Sequence, residues 1–402
     1  MSTLLDRFCR YAKVTTQADE SSQSVPTTPG QLELGRMLTE ELKALGLEDA
    51  EQDQHGIVMA TVPATVSHSA PVVALIAHVD TSPETSGANV KPIVHENYEG
   101  DDIVLPGDTS QVIRVSESPE LAALKGKTTN TTDGTTLLGG DDKAGVAVIM
   151  ETAKHLMEHR EIPHGPIRVC FTCDEEVGRG VDHLDLKKLG ADVGYTLDGG
   201  GAGEIDGETF SADLALVKVR GVNVHPGIAK GHMVNAIRLA SLLIDRLPRV
   251  SRSPETTEDR EGFLHPYTIS GGVAEVTIRI LLRDFDTKKL PEHAEVLRRV
   301  AQGIEAEYPD ASISIEIKEQ YRNMADWLDK EPRALPFAEQ AMKQAGIENP
   351  KHTIVRGGTD GSRLTELGLP TPNLSTGEHN IHSPLEWTCL EEMELAVRTL
   401  VE

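Results

Sequence analysis

Aromatic residues make up only 3% of this 402-residue chain, so it has few rings on which bases could stack. Basic residues are scarce as well: 39 Lys and Arg stand against 64 Asp and Glu, a formal charge of -25. A surface that acidic repels nucleic acid and anionic membranes, so neither is an expected partner, and its plain effect is solubility. No apolar run approaches the roughly 20 residues of a membrane span. The opening, MSTLLDRFCRYAKV, has neither the basic nor the apolar region of a signal peptide and reads as an amphipathic helix. Four cysteines (Cys9, Cys170, Cys173, Cys389) are too few and too scattered for a disulfide framework. Cys170 and Cys173 form a CxxC, but inside the strand-like run IRVCFTC, where residues three apart face opposite ways. A redox pair would open a helix, and a structural zinc site would need a second pair. The expectation is buried thiols in a reducing, cytoplasmic setting.

What the chain does have is a set of metal-ligand residue types, each placed where an apolar run ends. They are His78 after PVVALIAHVD, Asp141 in LLGGDDKAG, Glu176 after IRVCFTCDE, Asp198 in VGYTLDGGG, and His382 in GEHNIHSPLE. Two imidazoles and three carboxylates suit a pair of divalent ions, with a carboxylate free to bridge them. A further acid, Glu175, directly precedes Glu176. Two adjacent carboxylates do not readily perform one task, so one can ligate metal while the other carries a proton. That is equipment for activating water, and it predicts a hydrolase.

The length suits two cores. Up to about residue 207, helix-like and strand-like patterns alternate: QLELGRMLTEELKALG, then HGIVMATV and APVVALIAHVD, then DKAGVAVIMETAKHLMEH, PIRVCFTC and DVGYTLDG. APVVALIAHVD is apolar on both faces, as a central parallel strand should be. Residues 84 to 136 form a long insertion with little periodicity, which is either functional or carries small elements of its own. From 208 to 322 the order becomes β-α-β-β-α-β, the ferredoxin-like unit, and from 323 to 402 the α/β pattern resumes. There the expectation is a helix at 332–345, a loop RGGTDGSRL, a strand near TPNLST and a final helix LEEMELAVRTLV. The smaller domain is thus expected as an insertion in an α/β catalytic domain whose two parts, 1–207 and 323–402, fold together.

Single motifs carry less than their convergence. His78 and Asp80 lie two apart at a strand end and share a face, so Asp80 can orient the imidazole as a carboxylate partner to a metal-bound histidine. Of Asp141 and Asp142, at least one can be explained as a helix cap. The GGDDK stretch is not a P-loop, and the glycines after Asp198 do not make a dinucleotide fingerprint. Spacing does not choose between His379 and His382. Ligands gathering at strand ends, where open α/β sheets place their sites, is the stronger argument.

Several longer stretches now become recognisable. AHVDTSPETSG, TTDGTTLLGGDDKAG, FTCDEEVGRG, TLDGGGAGE, NVHPGIAKGHMVNA, RDFD, RGGTDG and TPNLSTG resemble the peptidase T family of tripeptide aminopeptidases, within the zinc-dependent aminoacylase and carboxypeptidase superfamily. The resemblance covers essentially the whole chain. It implies an α/β di-zinc aminopeptidase-like catalytic domain with an inserted ferredoxin-like α+β lid, and two Zn2+ per chain. One zinc would be held by His78 and Asp198, the other by Glu176 and His382, with Asp141 bridging through a cis bond to Asp142. Asp80 and Glu175 would be catalytic, Glu175 as acid/base. The family's ligand histidine precedes a glutamate by four residues, as His382 precedes Glu386, and this favours His382 over His379. His225 resembles the histidine that holds the substrate carbonyl or carboxylate, and Arg283 and Arg356 resemble pocket-lining residues. Short peptides are the implied substrates, and a homodimer through the lid is compatible with the family. The stretch GEHNIHSPLEW departs from the pattern and leaves fine specificity open. The alternatives are a related di-zinc dipeptidase, carboxypeptidase or deacylase, and a metal-binding scaffold, which the presence of Glu175 argues against.

Overall fold

A computed structural model describes residues 3–402 and divides into two units. The first comprises the described residues up to Gly207 with Trp327–Thr353 and Thr359–Glu402; the second comprises Glu208–Asp326 with Ile354–Gly358. The first is built on an eight-stranded sheet. Its order is Glu51–Gln52, Val58–Val62, Ile167–Thr172, Val73–His78, Val193–Thr196, Asn373–Leu374, Glu204–Thr209 and Lys351–Val355. Pairing is parallel from Ile167–Thr172 through to Asn373–Leu374; Val58–Val62 joins Ile167–Thr172, Glu51–Gln52 joins Val58–Val62, and Glu204–Thr209 joins Asn373–Leu374, all antiparallel. Val73–His78 sits inside the parallel part because VALIAH offers apolar side chains to both faces.

One face is closed by the helix Gly140–Glu158, which is buried almost throughout and packs on Val73–His78. Thr3–Ala12 and Leu390–Val401 pack on that helix in turn. Thr3–Ala12 buries Leu4, Leu5, Phe8, Tyr11 and Ala12 at helical spacing, which is what the amphipathic pattern requires. Pro29–Ala44 begins with proline in its first turn and buries Leu34, Leu38 and Leu42.

The insertion over 84–136 contains small elements. Ile93–His95 and Thr129–Thr131 form a four-stranded sheet with Glu378–His379 and Trp387–Cys389, over an apolar cluster of Tyr98, Ile103, Leu105, Ile113, Leu121 and Trp387. The insertion therefore holds the C-terminal hairpin that carries His382.

In the second unit, Phe263–Gly271, Glu275–Asp284, Ser211–Arg220 and Ser312–Tyr321 pair antiparallel in that order. Glu275–Asp284 alternates strictly, with Val276, Ile278, Ile280 and Leu282 buried in the core shared with the helices Ala236–Arg246 and Leu290–Glu307. The topology is ferredoxin-like. A smaller cluster of Phe210, Phe263 and Phe285 receives Ile354, which explains why Ile354–Gly358 belongs to this unit.

Several elements differ from the sequence reading, the C-terminal hairpin strands Glu378–His379 and Trp387–Cys389 among them. RGGTDGSRL, expected as a loop, holds the start of the helix Asp360–Glu366, which opens with a capping box between Thr359 and Ser362. Glu204–Thr209 and Lys351–Val355 are unexpected strands. Both are short, and Glu204–Thr209 offers Ile205 as its one aliphatic residue, so neither produces a readable period. Among the described residues no helix is long and apolar enough to cross a membrane.

Candidate metal centre

The site is assembled at the C-terminal ends of the parallel strands. His78 closes Val73–His78, Glu175 and Glu176 follow Ile167–Thr172 in a 3-10 turn, and Asp198 follows Val193–Thr196. Asp141 opens the helix Gly140–Glu158, and its peptide bond to Asp142 is cis. His382 stands in the hairpin loop with φ 60°.

Four of these side chains, those of His78, Glu176, Asp198 and His382, gather around Asp141. Its Oδ1 lies 2.9 Å from His78 Nε2, and its Oδ2 lies 3.1 Å from His382 Nε2. His78 Nε2 is also 4.0 Å from Asp198 Oδ1, and His382 Nε2 is 3.0 Å from Glu176 Oε2. Asp141 thus stands between two imidazoles, each with a second carboxylate beside it. Three groups of possible ligand atoms, each within 4.8 Å, recur here: His78 with Asp141 and Glu176, His78 with Asp142 and Asp198, and Asp141 with Asp198 and Glu378. Imidazole nitrogens and carboxylate oxygens are a donor set that zinc accepts. Glu176 Oε1 is buried without a hydrogen-bond partner, so this atom is left for a cation. The residues present fit two divalent ions.

The charge balance agrees. Burial, with neighbouring carboxylates adding to it, pushes Asp142, Asp198 and Glu378 well above the carboxylate range, and Glu176 up to about 7. Glu175 is pushed well up by burial too. Burial acts downwards on the two histidines, but hydrogen bonds with Asp141 and the surrounding acids outweigh it and raise both. Burial acts upwards on Asp141, and its bonds with His382 and His78 hold it below its usual value. An enclosed acid cluster of this kind is strained as anions unless cations compensate it.

Asp80 is fully buried and does more than face His78. Its Oδ1 is 3.4 Å from His78 Nδ1, and its two carboxylate oxygens accept the Glu175 and Glu176 N–H groups, both at 3.1 Å. Other supports have roles that the sequence reading did not assign. Glu386 is buried and accepts the N–H groups of Leu138, Gly139 and Asp141 at 2.7, 2.8 and 3.1 Å, which fixes the turn that delivers Asp141. Asn373 brackets the Asp198 peptide, accepting its N–H at 3.1 Å and donating to its carbonyl at 2.6 Å. Asp142 accepts the His78 N–H at 2.9 Å. Only Glu386 had a sequence signal, its spacing from His382.

His379 is placed elsewhere, stacked on Trp387 at 3.7 Å with Nε2 2.8 Å from Glu392. His225, Arg283 and Arg356 lie in the second unit. His225 is exposed and caps the turn Pro226–Ile228, its Nδ1 accepting the Gly227 N–H at 3.1 Å. Arg356 stacks on Phe210 and Phe263 and donates to the carbonyls of Thr257, Asp259 and Glu261. Arg283 donates weakly to the Arg356 carbonyl at 3.4 Å, and its Nε is buried without a partner.

A profile of peptidase family M20/M25/M40 matches residues 128–402. Peptidase T of Clostridium botulinum is 46% identical over 402 residues, spanning 100% of this chain and 98% of that one. Among solved structures, aminopeptidase PepT of Bacillus cereus aligns with TM-score 0.73 at 24% identity, over 99% of this chain and 96% of that one. A Staphylococcus aureus tripeptidase aligns with TM-score 0.76 at 23% identity and the same coverage. A Bacillus subtilis M20 peptidase described as dinuclear metal-binding aligns with TM-score 0.61 at 16% identity, over 99% and 95%. A strand-end acid and imidazole cluster on this fold, with whole-length similarity to peptidase T, makes the chain a member of peptidase family M20/M25/M40 and a peptidase.

Proposed function

We propose that the chain is a cytoplasmic aminotripeptidase that removes the N-terminal residue of tripeptides with two zinc ions. The observation that carries this is Asp141 set between His78 and His382, one carboxylate oxygen to each. In this reading His78 and Asp198 hold one ion, Glu176 and His382 hold the other, and Asp141 bridges. Ions bound there would acidify a water and polarise the scissile carbonyl. Asp80 orients His78 and fixes the Glu175–Glu176 backbone. Glu175, half-buried and next in sequence to the ligand Glu176, takes the proton from the attacking water and returns it to the leaving amine.

The second unit supplies the lid and the contact for a homodimer. Because His225 Nδ1 accepts from Gly227, the neutral ring carries its proton on Nε2, and that N–H is assigned to the developing oxyanion. Arg283, with Nε unsatisfied, is assigned to the substrate side; Arg356 acts with it by holding the 257–261 loop in place. A panel of di-, tri- and tetrapeptides, read together with metal content, tests the whole. Tripeptides should turn over fastest, with close to two zinc ions per chain. Preference for dipeptides or acylated amino acids would move the chain to a related amidohydrolase.

A further inference from the structure

The turn that carries Glu175 and Glu176 is gripped at both ends by a segment near the N-terminus. At its start Asp174 adopts a left-handed conformation, φ 64°, and is 3% exposed. The Asp174 carboxylate accepts the Thr27 N–H at 2.9 Å, the Thr27 hydroxyl at 2.5 Å and Gln31 Nε2 at 2.6 Å. In return the Asp174 N–H donates to Gln31 Oε1 at 3.0 Å. At the far end, Arg179 donates to the carbonyls of Ser22 and Glu20 at 3.0 and 3.2 Å. Between these anchors the Arg179 N–H returns to the Asp174 carbonyl at 2.9 Å and closes the turn.

Gln31 is the hinge of this arrangement chemically. A primary amide can donate to a carboxylate and accept from a peptide N–H at once, and a hydrocarbon of the same volume can do neither. Gln31 is fully buried in the first turns of Pro29–Ala44, so its amide is held by a rigid element. The turn it holds has irregular backbone, with left-handed residues at Asp174 and Gly178. Left to itself such a turn samples several poses.

We propose that Gln31 and Arg179 are positioning residues: the strap over residues 20–31 sets the pose of Glu175 towards the metal pair, touching neither metal nor substrate. This rests on the reading of Glu175 as acid/base. A displacement of about 1 Å at a reacting group costs on the order of 100-fold in rate. A strap that served stability alone would lower the melting temperature and leave turnover per folded molecule intact.

Gln31→Met and Arg179→Met in the full-length protein test this, with kcat and KM on a tripeptide, metal content, and hydrogen exchange over 174–179. The expected result is a fall in kcat of roughly 10- to 100-fold, with KM and metal content close to the parent and faster exchange at the Glu175 and Glu176 amides. Unchanged kcat in both variants overturns the proposal, as does loss of metal in proportion to loss of activity. Should Gln31→Met not fold, Arg179→Met decides alone, because its partners are backbone carbonyls and its removal opens no apolar core. If Glu175→Gln itself keeps full turnover, the underlying reading fails instead. An inactive Glu175→Gln beside normal strap variants rejects only the strap.

Discussion

At the scale of single residues, the proposed reading divides the labour between the adjacent acids Glu175 and Glu176. Both N–H groups rest on Asp80, but Glu176 Oε2 meets His382 and its Oε1 is left without a partner, which suits Glu176 as the ligand and leaves Glu175 to carry the proton. Glu175→Gln should therefore keep close to two metal ions per chain and lose roughly 10²–10⁴-fold in turnover. Metal loss equal to that of Glu176→Ala would refute the division. The two C-terminal histidines give a second contrast. His382→Ala should lose one metal and nearly all activity. His379→Ala breaks a ring stack and a bond to Glu392, so it should keep its metals and lose about 1–3 kcal/mol of stability. Metal analysis beside thermal melts separates the two. His78, Asp141, Glu176 and Asp198 stand out in the sequence because each comes just after an apolar run, whereas His382 is preferred to His379 only through the family resemblance. Asp142 hides behind an ordinary helix cap, and Glu378 and Asn373 sit in two-residue strands with no run to mark them.

At the scale of elements, the site depends on how closely the helix Gly140–Glu158 approaches the strand end before Asp198. Gly145 sets that distance. A Cβ there would stand 1.9 Å from the Leu197 carbonyl oxygen and 2.2 Å from Asp142 Oδ1, and the first of these is backbone that cannot swing aside. Gly145→Ala should force helix and strand apart, at a cost of about 1–3 kcal/mol or more. It should also weaken metal binding, because Asp141 and Asp198 then separate. A denaturant melt and a metal titration check this; a variant with parental metal affinity would show that the spacing is slack. Elements with a strong period were legible: Val73–His78, Gly140–Glu158 and the alternating strands of the second unit declare themselves through unbroken or two-fold apolar patterns. Asp360–Glu366 was not, because its start is written in hydrogen bonds between Thr359 and Ser362 and its turn signals, TDGS, read as loop.

At the scale of the whole molecule, the proposed ligands come from sequence positions as far apart as His78 and His382, on either side of the second unit. A metal pair held by them would therefore cross-link the first and last of the three stretches of the first unit, and binding energy would become folding energy there. The acids pushed above their usual range show the other half of the balance. Without cations, this buried cluster at neutral pH must either stay anionic under mutual repulsion or take up protons. Chelation should thus lower the melting temperature, and returning zinc should restore it. Ligand present at 1,000 times its Kd contributes about 4 kcal/mol, which corresponds to several degrees for a domain of this size. The comparison that isolates the site is Asp141→Asn, which removes the carboxylate proposed to bridge the two ions. That variant should melt at nearly the same temperature with and without chelator. A full parental response to chelator in Asp141→Asn would mean that the stabilising metal sits elsewhere in the chain.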